Sequence, residues 1–127
     1  MSTQAAVLLA ILLVGHFLGD FTPLATTRMQ KAKASGGPMR VIAAHAAVHA
    51  FLTGLAVALV VEPQPSMLAL VIGLELLTHW ALDAFRARLG VRVPALVDPG
   101  KNVYWTALGL DQLTHGLVLL AITFIVV

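Results

Sequence analysis

The chain has no cysteine, which excludes disulfides and thiolate metal sites. Charge is almost as scarce. Only 11% of the 127 residues are Asp, Glu, Lys or Arg, against about 25% in an ordinary soluble domain. No Ser/His/Asp elbow, phosphate loop or dinucleotide fingerprint is present. The N-terminal tail, the stretch around Glu62 and the C-terminus carry no Lys or Arg. What fills the chain is apolar: 59% hydrophobic residues and a mean hydropathy of +0.92. A chain of that composition takes lipid as its solvent. The isoelectric point near 9.5 gives no reason to expect a nucleic-acid partner.

Four apolar segments are read, at roughly 5–24, 41–61, 67–85 and 103–127. Each is close to the ~20 residues a helix needs to cross the hydrocarbon core. Backbone polar groups find no partner in lipid, so the spans must be helical. The expectation is an all-α membrane protein, one domain over 1–127, with four transmembrane helices in an antiparallel bundle. Polar or breaker-rich loops separate the spans at 25–40, with Ser35-Gly36-Gly37-Pro38, at Glu62–Ser66, and at 86–102, with Asp98-Pro99-Gly100.

The basic residues are one-sided. Arg28, Lys31, Lys33 and Arg40 lie in the first loop, and Arg86, Arg88, Arg92 and Lys101 in the third. The positive-inside rule then makes loops 25–40 and 86–102 cytoplasmic and both termini external, in a multi-pass protein of the bacterial inner membrane. The basic loops read first as topology signals, and second as an attraction for anionic headgroups or phosphates. Segment one has no basic n-region and is kept as a span rather than a signal peptide. Tyr104 and Trp105 suit the cytoplasmic interface.

Within this apolar background all five histidines have an Asp, Glu or His four positions away. The pairs are His16/Asp20, His45/His49, His79/Asp83 and Asp111/His115, and Glu75 precedes His79 by the same step. In a helix that step places both side chains on one face, one turn apart. The alternating direction of the spans puts all four pairs at one depth. Asp20, His45, Asp83 and Asp111 form a shallower layer. His16, His49, His79 and His115 lie about 6 Å deeper, and Glu75 one turn further in. One ionised side chain at mid-span costs about 2.5–3.5 kcal/mol, so nine polar groups must face one another, water or a metal. Neutral imidazoles and carboxylates are the donors a divalent transition metal takes. The eight paired residues are therefore the expected ligands of one or two ions, with zinc, iron and manganese foremost. A metal-free proton network and haem are the other readings of the same cluster.

Glu75 has three open roles: general acid or base beside metal-bound water, further ligand, or protonated structural acid. Gln112 and Thr78 are candidate hydrogen-bond partners of ligands. Gly15, Gly19, Gly54, Gly73, Gly109 and Gly116 are candidate close helix contacts. His79 follows His16 by 63 positions and His115 follows His49 by 66, a spacing that admits two parallel helix-hairpin repeats.

The motifs His16-x-x-Gly19-Asp20, His45-x3-His49, Thr78-His79-x3-Asp83 and Asp111-Gln112-x2-His115 resemble a family of small bacterial membrane proteins of unknown function. The resemblance extends over nearly the whole chain, and more distantly to membrane-bound metal-dependent hydrolases. It implies metal binding and supplies no substrate. The leading expectation is a metal-dependent hydrolase at the membrane, acting on an ester, phosphoester or amide. A metal-ion or proton transporter and a metal-stapled structural or regulatory module are the competitors. Membrane lipid is the expected surrounding, and a homodimer is compatible with so small a bundle.

Overall fold

The computed structural model describes residues 1–127 and is all-helical. In chain order it contains α1 (Thr3–Phe21), α2 (Thr27–Ser35), α3 (Met39–Val61), α4 (Pro65–Arg92), a 3-10 turn at Pro94–Leu96 and α5 (Asn102–Val126). The helices α1, α3, α4 and α5 are long and apolar enough to cross a membrane. Their 19, 23, 28 and 25 residues correspond to about 28–42 Å at 1.5 Å per residue, against about 30 Å of hydrocarbon.

Local chemistry sets the ends. Ser2 caps α1, its hydroxyl accepting from Ala5 N at 3.0 Å. Helix α3 ends at Glu62, which adopts φ 51° ahead of Pro63, a residue without an amide proton. Pro65 opens α4 at its first turn, where a missing N–H costs nothing. An Asx turn, Gly100 N donating to Asp98 Oδ1 at 2.9 Å, turns the chain into α5.

The bundle is polar inside and apolar outside at one end. Phe17, Phe51, Leu77 and Phe85 are exposed, whereas all five histidines and Asp20, Glu75, Asp83 and Asp111 are buried. At the other end the interior is a dry plug. Leu8 and Leu12 from α1, Val57 from α3, Val71 from α4, and Leu119 and Ile122 from α5 pack together there. Gln4 Nε2 donates to Val60 O at 3.1 Å, tying the start of α1 to the end of α3. Helix α3 packs most extensively on α4 and α1, and α5 closes the bundle against the same two.

Two boundaries differ from the sequence reading. The segment 25–40, expected as a loop, folds residues 27–35 into α2. Thr26 Oγ1 accepts from Met29 N at 3.3 Å, and Gly36 ends the helix with φ 82°, a conformation that favours glycine. The buried face of α2 docks Ala32 against Val41, Ile42 and Ala87. Helix α4 also runs seven residues past Phe85, so Arg86, Arg88 and Arg92 belong to a helix and not to a loop.

Candidate metal centre

Each of the four long helices brings one polar pair to the same end of the bundle. The deeper layer is a closed ring of imidazoles. His16–His49, His49–His79, His79–His115 and His115–His16 centroids lie 5.0, 3.8, 4.3 and 5.1 Å apart. The shallower layer is built on two aspartates. Asp20 Oδ1 is 2.9 Å from His45 Nε2 and 3.4 Å from His49 Nε2. Asp83 Oδ2 is 3.6 Å from both His45 Nε2 and His79 Nε2, and its Oδ1 is 3.9 Å from His115 Nε2.

Two groups of donor atoms converge closely enough to hold an ion. The first is Asp20, His45, His49 and His79, and the second is His79, Asp83 and His115; within each, the ligand atoms lie within 4.8 Å of one another. The chemistry of the donors fits a metal. His79 Nδ1 faces Glu75 Oε1 at 3.2 Å, and His115 Nδ1 faces the Asp111 backbone carbonyl at 2.8 Å. The carbonyl can only accept, so His115 Nδ1 is the protonated nitrogen and its Nε2 keeps its lone pair, and an ionised Glu75 sets His79 the same way. Those Nε2 atoms, together with His49 Nε2 and Asp83 Oδ2, are buried without a hydrogen-bond partner, while Asp83 Oδ1 is ion-paired to Lys33. Buried polar atoms left in that state are rare and costly. A histidine whose second N–H is held by a carboxylate or carbonyl is the usual arrangement of a metal ligand.

His16 and Asp111 belong to neither converging group. His16 Nε2 lies 3.1 Å from Gln112 Oε1 and 3.6 Å from Asp20 Oδ2. Gln112 Nε2 donates to Asp20 Oδ2 at 2.9 Å and to Asp111 Oδ2 at 3.3 Å. Carboxylates only accept, so the amide oxygen must face His16. Asp111 also lies 3.9 Å from Arg86 Nε and lines the cavity beside the centre. Glu75 lies on the far side of His79 from that cavity, one turn nearer the apolar plug.

Lys33 is the residue that the pattern of pairs did not contain. From α2 its Nζ lies 3.3 Å from Asp20 Oδ1, 3.0 Å from Asp83 Oδ1 and 3.4 Å from His45 Nε2. Burial on its own lowers the pKa of this ammonium. Asp83 and Asp20 more than offset that, so Lys33 is held above its ordinary value and stays charged. Lys33 and Arg86 are therefore more than topology signals, because both reach into the site. The caps of α2 at Thr26 and Gly36 were the sequence signal that could have found Lys33.

Expectations on four lesser residues change. Thr78 Oγ1 donates to Leu74 O in its own helix at 2.7 Å and touches no ligand. Gly73, Gly109 and Gly116 face open space, while a Cβ at Gly19 would overlap the His49 ring and one at Gly54 would meet Ile72 Cγ1 at 2.7 Å. Gly15 is in ordinary contact with Leu52.

A family model described as "Protein of unknown function (DUF3307)" matches residues 8–127. No curated protein and no solved structure matches the chain. The chain belongs to the DUF3307 family.

Proposed function

We propose, for a member of a family that brings no assigned activity with it, that this chain is an integral membrane metal protein acting as a metal-dependent hydrolase. The observation that carries the reading is the set of buried, unpartnered imidazole nitrogens of His49, His79 and His115 that converge with Asp83 Oδ2 and Asp20. Charge supports it. Three buried carboxylates beside the cavity, Asp20, Asp83 and Asp111, stand against two cations, Lys33 and Arg86. One dication would offset the excess negative charge.

Asp20, His45, His49, His79, Asp83 and His115 are the proposed ligands. His79 is common to both donor groups and has one free lone pair, so it can serve only one ion. Zinc, iron or manganese suits mixed nitrogen and oxygen donors. Such an ion lowers the pKa of a bound water to about 7 and polarises a carbonyl or phosphoryl oxygen. The protein's own groups divide the remaining work. Glu75 holds His79 in the tautomer that leaves Nε2 free. Asp111, outside the ligand groups and on the cavity wall, would be placed to accept a proton from a water held there. The sequence reading held Glu75 as a candidate for that role; Glu75 does not line the cavity. Lys33, Arg86 and Gln112 stand where negative charge would develop on the substrate.

The basic residues cluster at the end of the bundle that holds the site, which supports a cytoplasmic-facing centre in a bacterial inner membrane. A transporter would need a polar path past Glu75, and the Leu8, Leu12, Val57, Val71, Leu119 and Ile122 plug offers none.

The test pairs metal content with turnover on a panel of ester, phosphoester and amide substrates. Asp111→Asn is expected to keep its metal and lose activity by about 10²-fold or more, the usual contribution of a general base. His79→Ala is expected to lose both. Undiminished turnover after complete metal removal would defeat the proposal.

A further inference from the structure

Two cavities meet at Arg86. The first, about 280 Å³, opens beside the centre, and its charged lining is Lys33, Arg86, Asp20, Asp83 and Asp111, with Gln112 adding an amide. The second, about 330 Å³, lies between α4 and α5, with Leu82, Phe85, Leu89, Val103 and Leu110 on its walls. Arg86, Val97 and Asp111 line both. Phe85 and Leu110 are 66% and 58% exposed, so the apolar cavity opens on the outer, apolar surface of the bundle. The pair is amphipathic: a polar compartment next to the ligand carboxylates, and an apolar one open to the bilayer.

Arg86 shows what the polar compartment lacks. Its Nη1 is buried and has no hydrogen-bond partner, while its Nε is only 3.9 Å from Asp111 Oδ2, too long for a hydrogen bond. A guanidinium offers a planar fork of donors that matches a phosphate. Charge sets a condition on that match. The first cavity carries three carboxylates against two cations, a net negative lining that repels an anion. One dication on the ligands turns the balance positive. It also competes with Lys33 for Asp20 and Asp83, and so frees the ammonium for an incoming anion.

We infer that the metal-loaded protein binds a phosphate-bearing lipid, with its phosphate at Arg86 and Lys33 beside the centre and its acyl chain in the cavity between α4 and α5. This rests on the metal reading above and names the substrate class of that same site. A charged head and an apolar tail are the one ligand chemistry that satisfies both compartments and the unpartnered donor together. A lipid held this way would place its phosphoester bond next to the ligand carboxylates.

Native mass spectrometry of the full chain in nonionic detergent tests this, with dioleoyl phosphatidate, dioleoylglycerol or inorganic phosphate as probes, with and without zinc. Zinc-loaded protein is expected to bind phosphatidate about tenfold or more tighter than zinc-free protein, and tighter than dioleoylglycerol. Arg86→Gln should weaken phosphatidate about tenfold, the scale of one charge-assisted hydrogen bond, with zinc stoichiometry unchanged. Leu110→Trp, at an exposed position, should fill the apolar cavity and abolish the preference for phosphatidate over inorganic phosphate. Equal phosphatidate binding by Arg86→Gln, or by zinc-free protein, overturns the inference. Inorganic phosphate binding as tightly as phosphatidate to the wild type removes the lipid and leaves a free-phosphate site. Zinc bound without phosphatidate sinks this inference alone. Failure to bind zinc, iron or manganese sinks the metal reading, and this one with it.

Discussion

Replacing Lys33 with Met removes the one ammonium that spans Asp20 and Asp83 and keeps the length of the aliphatic stem. The Lys33 side chain is only 20% exposed and the two aspartates 5% and 0%, so solvent cannot take its place. Breaking a buried ion pair from one side costs about 3–5 kcal/mol, because the partner charge stays behind uncompensated. Metal-free Lys33→Met should therefore be less stable than metal-free wild type by about that amount. The same two carboxylates are proposed ligands, so a bound dication restores their compensation. The loss is then recovered on binding. At 1.4 kcal/mol per tenfold, it appears as an affinity gain of about 10²-fold to several thousand-fold. Thermal unfolding in detergent, with chelator and with zinc, reads the first quantity, and calorimetric titration reads the second. The pH dependence gives an independent check. The folded pKa of Lys33 is raised. Its stabilisation is therefore complete below the unfolded value of about 10.4 and is lost as pH climbs through the higher folded value. Metal-free wild type should lose stability above about pH 10.4, and Lys33→Met should lack that limb. If the variant and the wild type melt together in chelator, the charge argument is wrong.

Glu75→Gln should lower metal affinity about 10–100-fold, the usual cost of losing the group that orients a ligand histidine, while leaving the fold intact; competition with a fluorescent zinc indicator measures it, and unchanged affinity would return Glu75 to the role of base. Gly19→Ala should displace the His49 ring, since the new Cβ falls on it. Helicity by circular dichroism should persist while metal content drops, and a full metal complement would show that the His49 position is not needed. Leu12→Ala in the apolar plug should cost about 2–5 kcal/mol of stability without changing the metal stoichiometry, a contrast between scaffold and site that elemental analysis can check.

The parts of this arrangement written in short-range periodicity are visible in the chain alone. His16/Asp20 and His79/Asp83 are one turn apart in any helix. The length of each apolar run sets the spans to within a few residues except at the end of α4, which runs on to Arg92, and alternation of direction brings the pairs to one depth. What the periodicity does not carry is tertiary. Helix α2 has nine residues, too few to hold together alone, and its charges read as solvated loop. It forms because Ala32 docks on Val41, Ile42 and Ala87, contacts that exist only once α3 and α4 are in place. Lys33 arrives with it. The proposed division of labour between Glu75 and Asp111 was equally invisible. Both are buried acids on helices that carry a histidine four residues on, and only the cavity beside Asp111 separates them. Gln112 was legible because it adjoins Asp111 on the exposed side of a ligand layer. Thr78 was not, because a threonine in a helix meets its own backbone carbonyl as readily as a neighbour.

The dry plug has an electrical consequence. Moving one elementary charge across the whole membrane is worth about 2.3 kcal/mol per 100 mV. That work is done mainly over the low-dielectric stretch, which the Leu8, Leu12, Val57, Val71, Leu119 and Ile122 end of the bundle fills. The ionisable groups gather at the opposite end, so a cation reaching them crosses only a small part of the voltage drop. Its occupancy should follow the ion's concentration on that one side and be nearly blind to the energised state of the membrane, and the chain can hold a charged centre within a bilayer without leaking current.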